Sequence, residues 1–355
     1  MLYRTFPGIE GSRVSALGFG FMRLPLLPDH KTIDEETSME MVRLSLEAGV
    51  NYWDTAWGYH EEASEPFVGR ALARFGCRDR VSLASKSPVW IMESEADWER
   101  VLDVQLGRLG ASWIDYYMFH ALDAKSWEKV NRLKGLPAME RALADGRIKR
   151  LGFSFHDDYP VFEEILLSRD WNFCQIQYNY MDVEKQAGKK GLELAASRGI
   201  GVIVMEPLRG GGLAKNTPKD VKDIFGSYKA PRTAAEWALR FALDEPGVVT
   251  VLSGMSSAAE VLENEAVCSA HRASTLSPEE RTIVEKARAA YKARVAVPCT
   301  ACRYCMPCPS GVDIPGIFDL RNTAAMFDDK GGPGWWYHNA VEKNGAGADK
   351  CTACG

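Results

Sequence analysis

The sequence predicts an α/β protein: a (β/α)8 TIM barrel followed by a small cysteine-rich domain. Three observations carry this expectation. Short apolar runs alternate repeatedly with longer amphipathic stretches. The part of the chain that does so, residues 1–275, is close to the roughly 250 residues typical of such a barrel. Of the nine cysteines, Cys299, Cys302, Cys305, Cys308, Cys351 and Cys354 all fall beyond it.

The elements follow in order. LYRTFPGIEGSRVS precedes the first strand-like run and reads as a hairpin closing the barrel bottom, with Gly8 or Gly11 in its turn. The strand-like runs are VSALGF (the 15–20 region), VNYWDT (50–55), VSLASK (81–86), IDYYMF (114–119), RLGFSF (150–155), CQIQYN (174–179), GVIVME (201–206) and VVTVLS (248–253). Amphipathic stretches such as EETSMEMVRLSLEAG and AAEWALRFALDEPG lie between them and read as the covering helices. The stretch 276–294 reads as a linker helix, with Ser277 as its cap, Pro278 at its first position and Glu280 completing a capping box. Residues 295–355 form the cysteine-rich segment, whose final stretch, DDKGGPGWWYHNAVEKNGAGADK, reads as irregular.

Composition excludes several function classes. A net charge of −5 argues against a nucleic-acid binder, which carries a basic face. No apolar run reaches the length of a membrane span. The N-terminus lacks the charged-then-apolar pattern of a signal peptide, so the expected location is cytoplasmic and the clustered cysteines read as metal ligands rather than disulfides. Cys77, Cys174 and Cys268 read as reduced thiols.

Barrels of this type place chemistry at the C-terminal ends of their strands. Asp54 and Tyr59 follow the second run, Lys86 ends the third, His120 the fourth, Ser154 the fifth, and Gln177 and Asn179 the sixth. Each alone has a bland alternative: an aspartate as helix cap, a lysine as solvated charge, a tyrosine as packing. Together they form an ordered set on successive strand ends. Trp53, Trp57, Trp90 and Phe21 lie near them and could wall an apolar pocket, although Trp53 fits the core equally well. His60 and His156, beside the same motifs, read as surface or supporting residues.

With GFGFMRLP, DTAWGYHEEASEPFVGRAL, SLASK, LGRLGASWIDYYMFH, GRIKRLGFSFH, FCQIQYN, GVIVMEPLRGGGLA and SGMSSAAEVLEN in this order, the sequence resembles the aldo-keto reductase family from Gly18 to Asn264. The resemblance implies an NAD(P)H-dependent oxidoreductase that reduces an aldehyde or ketone, or oxidises the alcohol, by hydride transfer. Tyr59 would be the general acid, Lys86 the cation lowering its pKa, Asp54 the anchor of Lys86, and His120 the group orienting the carbonyl. The cofactor, NADP or NAD, would lie against Gly20, Phe21, Met22, Asp54, Ser154, Gln177, Met205, Pro207, Leu208, Gly254, Ser256 and Asn264, with Asn179 a weaker candidate. Three departures stand out. Met205, followed by Glu206, replaces a common aromatic residue. Phe155 replaces a common asparagine. SGMSSAAEVLEN has no Lys or Arg for a 2′-phosphate, while Glu260 would repel one. Arg209 could contribute from another loop.

The run Cys299, Cys302, Cys305, Cys308, followed by Pro309, is one residue short in its last gap of the C-x2-C-x2-C-x3-C-P pattern of iron–sulfur ligation. The second run, Cys351 and Cys354, stops at Gly355 where a complete motif would add two cysteines, so the segment is expected to be truncated. PCxxCxYCxPCPxGVDIP resembles a branch of the same family with an appended ferredoxin-type domain, implying one or two 4Fe-4S clusters. Under that resemblance Cys299, Cys302 and Cys305 would serve one cluster, and Cys308, Cys351 and Cys354 the other. A zinc site on Cys299, Cys302, Cys351 and Cys354 is the alternative, and it leaves Cys305 and Cys308 unexplained.

A nicotinamide gives up two electrons together, whereas a cluster takes one at a time, and no flavin fingerprint bridges them. The leading expectation is therefore a working carbonyl reductase with appended clusters, acting on a small-molecule carbonyl or alcohol. The alternatives are an electron-transfer or cofactor-sensing subunit that meets a redox partner protein, and a zinc-stabilised docking module.

Overall fold

The computed structural model describes residues 1–299 and 304–354. Eight parallel strands close a barrel: β1 (Leu17–Gly20), β2 (Tyr52–Asp54), β3 (Ser82–Ser87), β4 (Tyr116–Leu122), β5 (Leu151–Phe155), β6 (Phe173–Gln177), β7 (Gly201–Met205) and β8 (Val248–Ser253). Each lies within or beside an expected run, and β8 pairs with β1 to complete the ring.

Side chains alternate across each strand. The outward set, including Phe19, Trp53, Leu83, Tyr117, Phe119, Phe153, Ile176 and Val204, packs with the helices into one core. The inward set fills the barrel with Tyr52, Ala84, Tyr116, Met118, Phe173 and Ile203. The same alternation turns the last residues of the strands toward the barrel mouth, which places the site.

The barrel bottom is closed as expected. Tyr3–Arg4 pairs antiparallel with Val14–Ser15, with Gly8 and Gly11 both at positive φ (68° and 70°) in the loop between. Phe6 plugs the floor against Tyr116 and Phe173, with ring centroids at 4.8 and 6.1 Å. Gly201 permits this, since a Cβ there would stand 2.3 Å from the Phe6 ring. Arg4 donates to the carbonyls of Val248 and Leu243 at 2.6 Å each.

The chain divides into two compact units, residues 1–210 with 238–276, and residues 211–237 with 277–355. The second unit thus includes a stretch that precedes β8 in sequence. Its helix Pro278–Ala293 carries the expected capping box, Ser277 with Glu280. Tyr291 packs on Phe327 of helix Ile314–Phe327 at 5.1 Å, and Arg294 pairs with Asp220 and Asp328. The tail departs from the irregular reading. Gly331–Trp336 is helical and continues as a π-helical turn, Tyr337–Glu342. Four-residue links compensate for the glycines: His338 with Glu342, Asn339 to the Trp335 carbonyl and Lys343 to Asn339. Among the described residues no helix is long and apolar enough to cross a membrane.

Candidate active site

Asp54 ends β2 and Lys86 lies one residue before the end of β3, both inward and both buried. The Lys86 ammonium donates to both Asp54 oxygens at 2.6 and 2.7 Å and to the Thr55 carbonyl at 2.8 Å. Burial pulls the Lys86 pKa down, but Asp54 and Tyr59 together outweigh it and leave it raised. The lysine is therefore a fixed cation. Its strand is supported from behind by a buried network: Gln105 donates to the Lys86 carbonyl at 3.0 Å and to Glu65, which also accepts from Ser85 at 2.7 Å. Burial lifts the Glu65 pKa against those donors and Arg108.

Tyr59 sits in the loop after β2 with Lys86 Nζ 4.9 Å from its ring centre. Burial raises the phenol above its ordinary 10.0, and the opposing pull of Lys86 only partly offsets that. The residues following Tyr59, namely His60, Glu61 and Glu62, all have φ between 52° and 73°. Such left-handed runs are costly outside glycine, and they concentrate at functional loops. His60 secures the loop by accepting from the Leu24 amide at 3.2 Å, and burial keeps its pKa low.

His120 projects inward from β4 beside a bulge: Phe119 faces Phe153 and Leu122 faces Phe155, so β4 holds one residue more than β5. The strand therefore runs to Leu122, past the expected end. The His120 ring lies 6.0 Å from that of Tyr59 and 5.1 Å from that of Trp90. Burial, then the charge of Lys86, holds its pKa well below 6.5, so the imidazole is neutral. Its Nδ1 is buried with no partner among the described residues.

The other sequence candidates are distributed around this group. Ser154 lies one residue before the end of β5, on its inward side, and accepts from the Ala121 amide at 2.7 Å, leaving its hydroxyl hydrogen to donate. Gln177 ends β6 and donates to Asp182 at 3.0 Å. Asn179 is engaged in the turn itself, accepting from the Met181 and Asp182 amides at 3.0 Å. Met205 is half-buried and takes a weak 3.6 Å contact from Gln175, whose Oε1 is buried without a partner among the described residues. Gln175 was not singled out in the sequence, although its alternation with Gln177 on β6 could have revealed it. Gly20 meets β8 closely: a Cβ there would lie 3.2 Å from the Ser253 carbonyl. Phe21 and Trp53 are fully buried and their rings pack together at 5.3 Å, so neither walls a pocket. Met22 and Trp90 are exposed. Trp57 carries Arg108 over its ring at 3.8 Å. Pro207 is buried and Leu208 half-buried in the loop after β7. After β8, Gly254 is exposed and lies against the Arg23 side chain. Ser256 donates its amide to Glu260 at 2.7 Å, and buried Asn264 donates to Ser253 at 3.0 Å.

This mouth fits a nicotinamide dinucleotide in donor chemistry: a hydroxyl hydrogen on Ser154 left to donate, buried amide groups on β6 and an unpartnered imidazole nitrogen on His120. The cysteine segment is different. Cys299, Cys305, Cys351 and Cys354 are exposed and Cys308 is half-buried, while Cys302 lies outside the described residues. Among the described residues no three His, Cys, Asp or Glu side chains converge as a metal site. The donor type suits iron–sulfur ligation, although the described cysteines do not by themselves converge on a site.

The aldo/keto reductase family profile matches residues 16–288. The chain belongs to the aldo/keto reductase family. Relatives include the L-galactose dehydrogenase of Arabidopsis thaliana, 25% identical over 78% of this chain and 91% of that protein. Methylglyoxal reductase YeaE of Escherichia coli is 26% identical over 74% of this chain and 88% of its own length. Among solved structures, the holo form of aldo-keto reductase AKR11C1 from Bacillus halodurans superposes with a TM-score of 0.68 at 27% identity, covering 81% of this chain and 96% of that one. A Klebsiella pneumoniae aldo-keto reductase in complex with NADPH gives 0.65 at 24% identity, over 81% and 95%. As an aldo/keto reductase the protein is an oxidoreductase built on an eight-stranded parallel barrel.

Proposed function

We propose that this aldo/keto reductase reduces an aldehyde or ketone with a reduced nicotinamide dinucleotide, Tyr59 acting as general acid. The observation that carries the reading is the buried Asp54–Lys86 pair held against Tyr59 beside a neutral His120. The dinucleotide supplies the hydride. The protein does the rest. Tyr59, a protonated phenol at neutral pH, gives its Oη proton to the carbonyl oxygen. Lys86 stabilises the phenolate left behind, and Asp54 holds Lys86 in place. His120 offers its single N–H to the same oxygen without competing as a cation. Ser154 and Gln177 hold the carboxamide, with Gly20, Phe21, Met22, Met205, Pro207, Leu208, Gly254, Ser256 and Asn264 contributed by the surrounding strand ends and loops. Trp90, exposed beside His120, walls the substrate.

The choice between NADP and NAD has support on both sides. The NADPH complex of the Klebsiella pneumoniae relative supports NADP. Glu260, whose carboxylate occupies the Ser256 amide at 2.7 Å, opposes a 2′-phosphate there and weighs toward NAD. The test is anaerobic multi-turnover oxidation of NADPH and NADH against a panel of small carbonyls. Tyr59→Phe should lower kcat by about 10²- to 10⁴-fold with an unchanged circular dichroism spectrum. Wild-type turnover by that variant overturns the assignment.

A second reading concerns the tail and rests on cysteine spacing. We propose that Cys299, Cys302 and Cys305 take one 4Fe-4S cluster, and that Cys308, Cys351 and Cys354 contribute to another. Iron and acid-labile sulfide analysis with a visible spectrum tests it. Zinc with no sulfide would establish the alternative site on Cys299, Cys302, Cys351 and Cys354 instead.

A further inference from the structure

Behind Gln177 stands a carboxylate that the proposed chemistry leaves unused. Asp182 is only 3% exposed and lies in the turn after β6. Its Oδ2 accepts from Gln177 Nε2 at 3.0 Å and from Asn179 Nδ2 at 3.4 Å, and pairs with Arg209 Nε at 2.9 Å. Its Oδ1 faces Lys185 Nζ at 3.4 Å, and its own amide donates to Asn179 Oδ1 at 3.0 Å. The aspartate is thus fixed from both ends, and Arg209, in the loop after β7, meets it as a counter-charge.

An ionised carboxylate only accepts hydrogen bonds. It therefore selects which end of the Gln177 amide faces it, and Nε2 is the end it holds. Oε1 is then the end presented elsewhere. Given the reading of the mouth as a nicotinamide site, on which this inference rests, the consequence is specific. A carboxamide has one acceptor and one donor. Ser154, already accepting from Ala121, offers a donor for the carboxamide oxygen. Gln177 Oε1 is the matching acceptor for the carboxamide NH2. Were the Gln177 amide reversed, two NH2 groups would oppose each other and neither would be satisfied.

We propose that Asp182 is a positioning residue: it locks the Gln177 amide so that the site distinguishes a carboxamide from a substituent lacking the NH2 group. The test is equilibrium binding of the oxidised dinucleotide and of its 3-acetylpyridine analogue to the full-length chain, followed by tryptophan fluorescence quenching. The wild type should bind the carboxamide about tenfold more tightly, the worth of one neutral hydrogen bond. Asp182→Ala removes the single oxygen that Gln177 and Arg209 share, and should reduce the ratio to about twofold or less. Gln177→Met should do the same, and the double variant should lose nothing further, as expected when both act through one contact. Asp182→Ser, whose hydroxyl donates as readily as it accepts and so imposes no orientation, gives the same read-out if the alanine variant does not fold. A wild-type ratio near one, or an unchanged ratio in the Asp182 variants beside a collapsed one in Gln177→Met, overturns the proposal. Failure of both dinucleotides to bind removes the nicotinamide reading itself and the proposal with it.

Discussion

At Lys86 a full charge is held inside a barrel with three acceptors around it, two from Asp54 and one from Thr55. Removing one member of such a pair leaves the other charged and dry, which costs about 3–5 kcal/mol. Asp54→Ala should therefore lower the thermal midpoint as well as activity. Lys86→Met, close in volume, should lose activity while Asp54, already lifted by burial, takes up a proton. The same two charges shape the pH profile. His120 is held well below 6.5 by burial and by Lys86, and Tyr59 is raised above 10.0 by burial against Lys86. The kcat/KM for reduction should then show no step near 6.5, and should fall only above the ordinary tyrosine value as the phenol loses its proton. In Lys86→Met the residual activity should hold to still higher pH, because the cation that favours the phenolate is gone. A titration of the rate from about pH 5 to 11 reads both limbs, and an acidic step near 6.5 in the wild type would contradict the assignment to a neutral His120.

Three backbone positions around the site share a device. The residue directly after Tyr59, after His120 and after Met205 is left-handed and is not glycine: His60 at 52°, Ala121 at 53° and Glu206 at 54°. At Ala121 the cause is visible, since the bulge in β4 turns its amide onto Ser154 Oγ. A branched side chain tolerates this backbone poorly. Ala121→Val should cost about 1–2 kcal/mol in unfolding experiments and lower kcat further by displacing His120. Ala121→Gly should fold at least as well and keep its activity; equal stability of the valine and glycine variants would contradict the strain. The contrast shows what was legible at this level. The ends of successive apolar runs were enough to single out Asp54, Lys86, His120, Ser154 and Gln177 as one ordered set. The bulge was invisible, because Ala121 carries no preference for a left-handed backbone and its conformation is set by a serine on the next strand. Gln175 and Asp182 were overlooked similarly, the one beside a neighbour that looked more important and the other because its counter-charge, Arg209, lies in the loop after β7.

On the scale of the molecule, the barrel could be read because its core is built from repeated local signals, each strand and helix announcing itself. In the second unit the capped helix Pro278–Ala293 was legible, but the pairings that join it to the rest were not, because they link distant residues: Arg294 with Asp220 and Asp328, Asn322 with both backbone groups of Val297, and Arg232 with Glu280. The last of these makes a testable claim about the unit. Glu280 accepts from the Ser277 amide at 2.6 Å and pairs with Arg232, so it closes the helix Pro278–Ala293 and binds residues 211–237 to it. Burial opposes its charge, but the Ser277 and Arg232 contacts outweigh burial and bring its pKa from 4.5 down to about 2. A carboxylate whose pKa is lower folded than unfolded stabilises the fold fully above its unfolded value, and that stability is lost as pH falls through the folded one. Amide exchange in residues 278–293 should thus be independent of this group above about pH 5 and should accelerate between 4.5 and 2, after correction for intrinsic rates. Glu280→Gln should exchange faster at neutral pH and lose much of that acid step, while exchange in the barrel strands stays unchanged. If the variant and the wild type share one pH dependence, the Arg232–Glu280–Ser277 contact is not what holds this unit together.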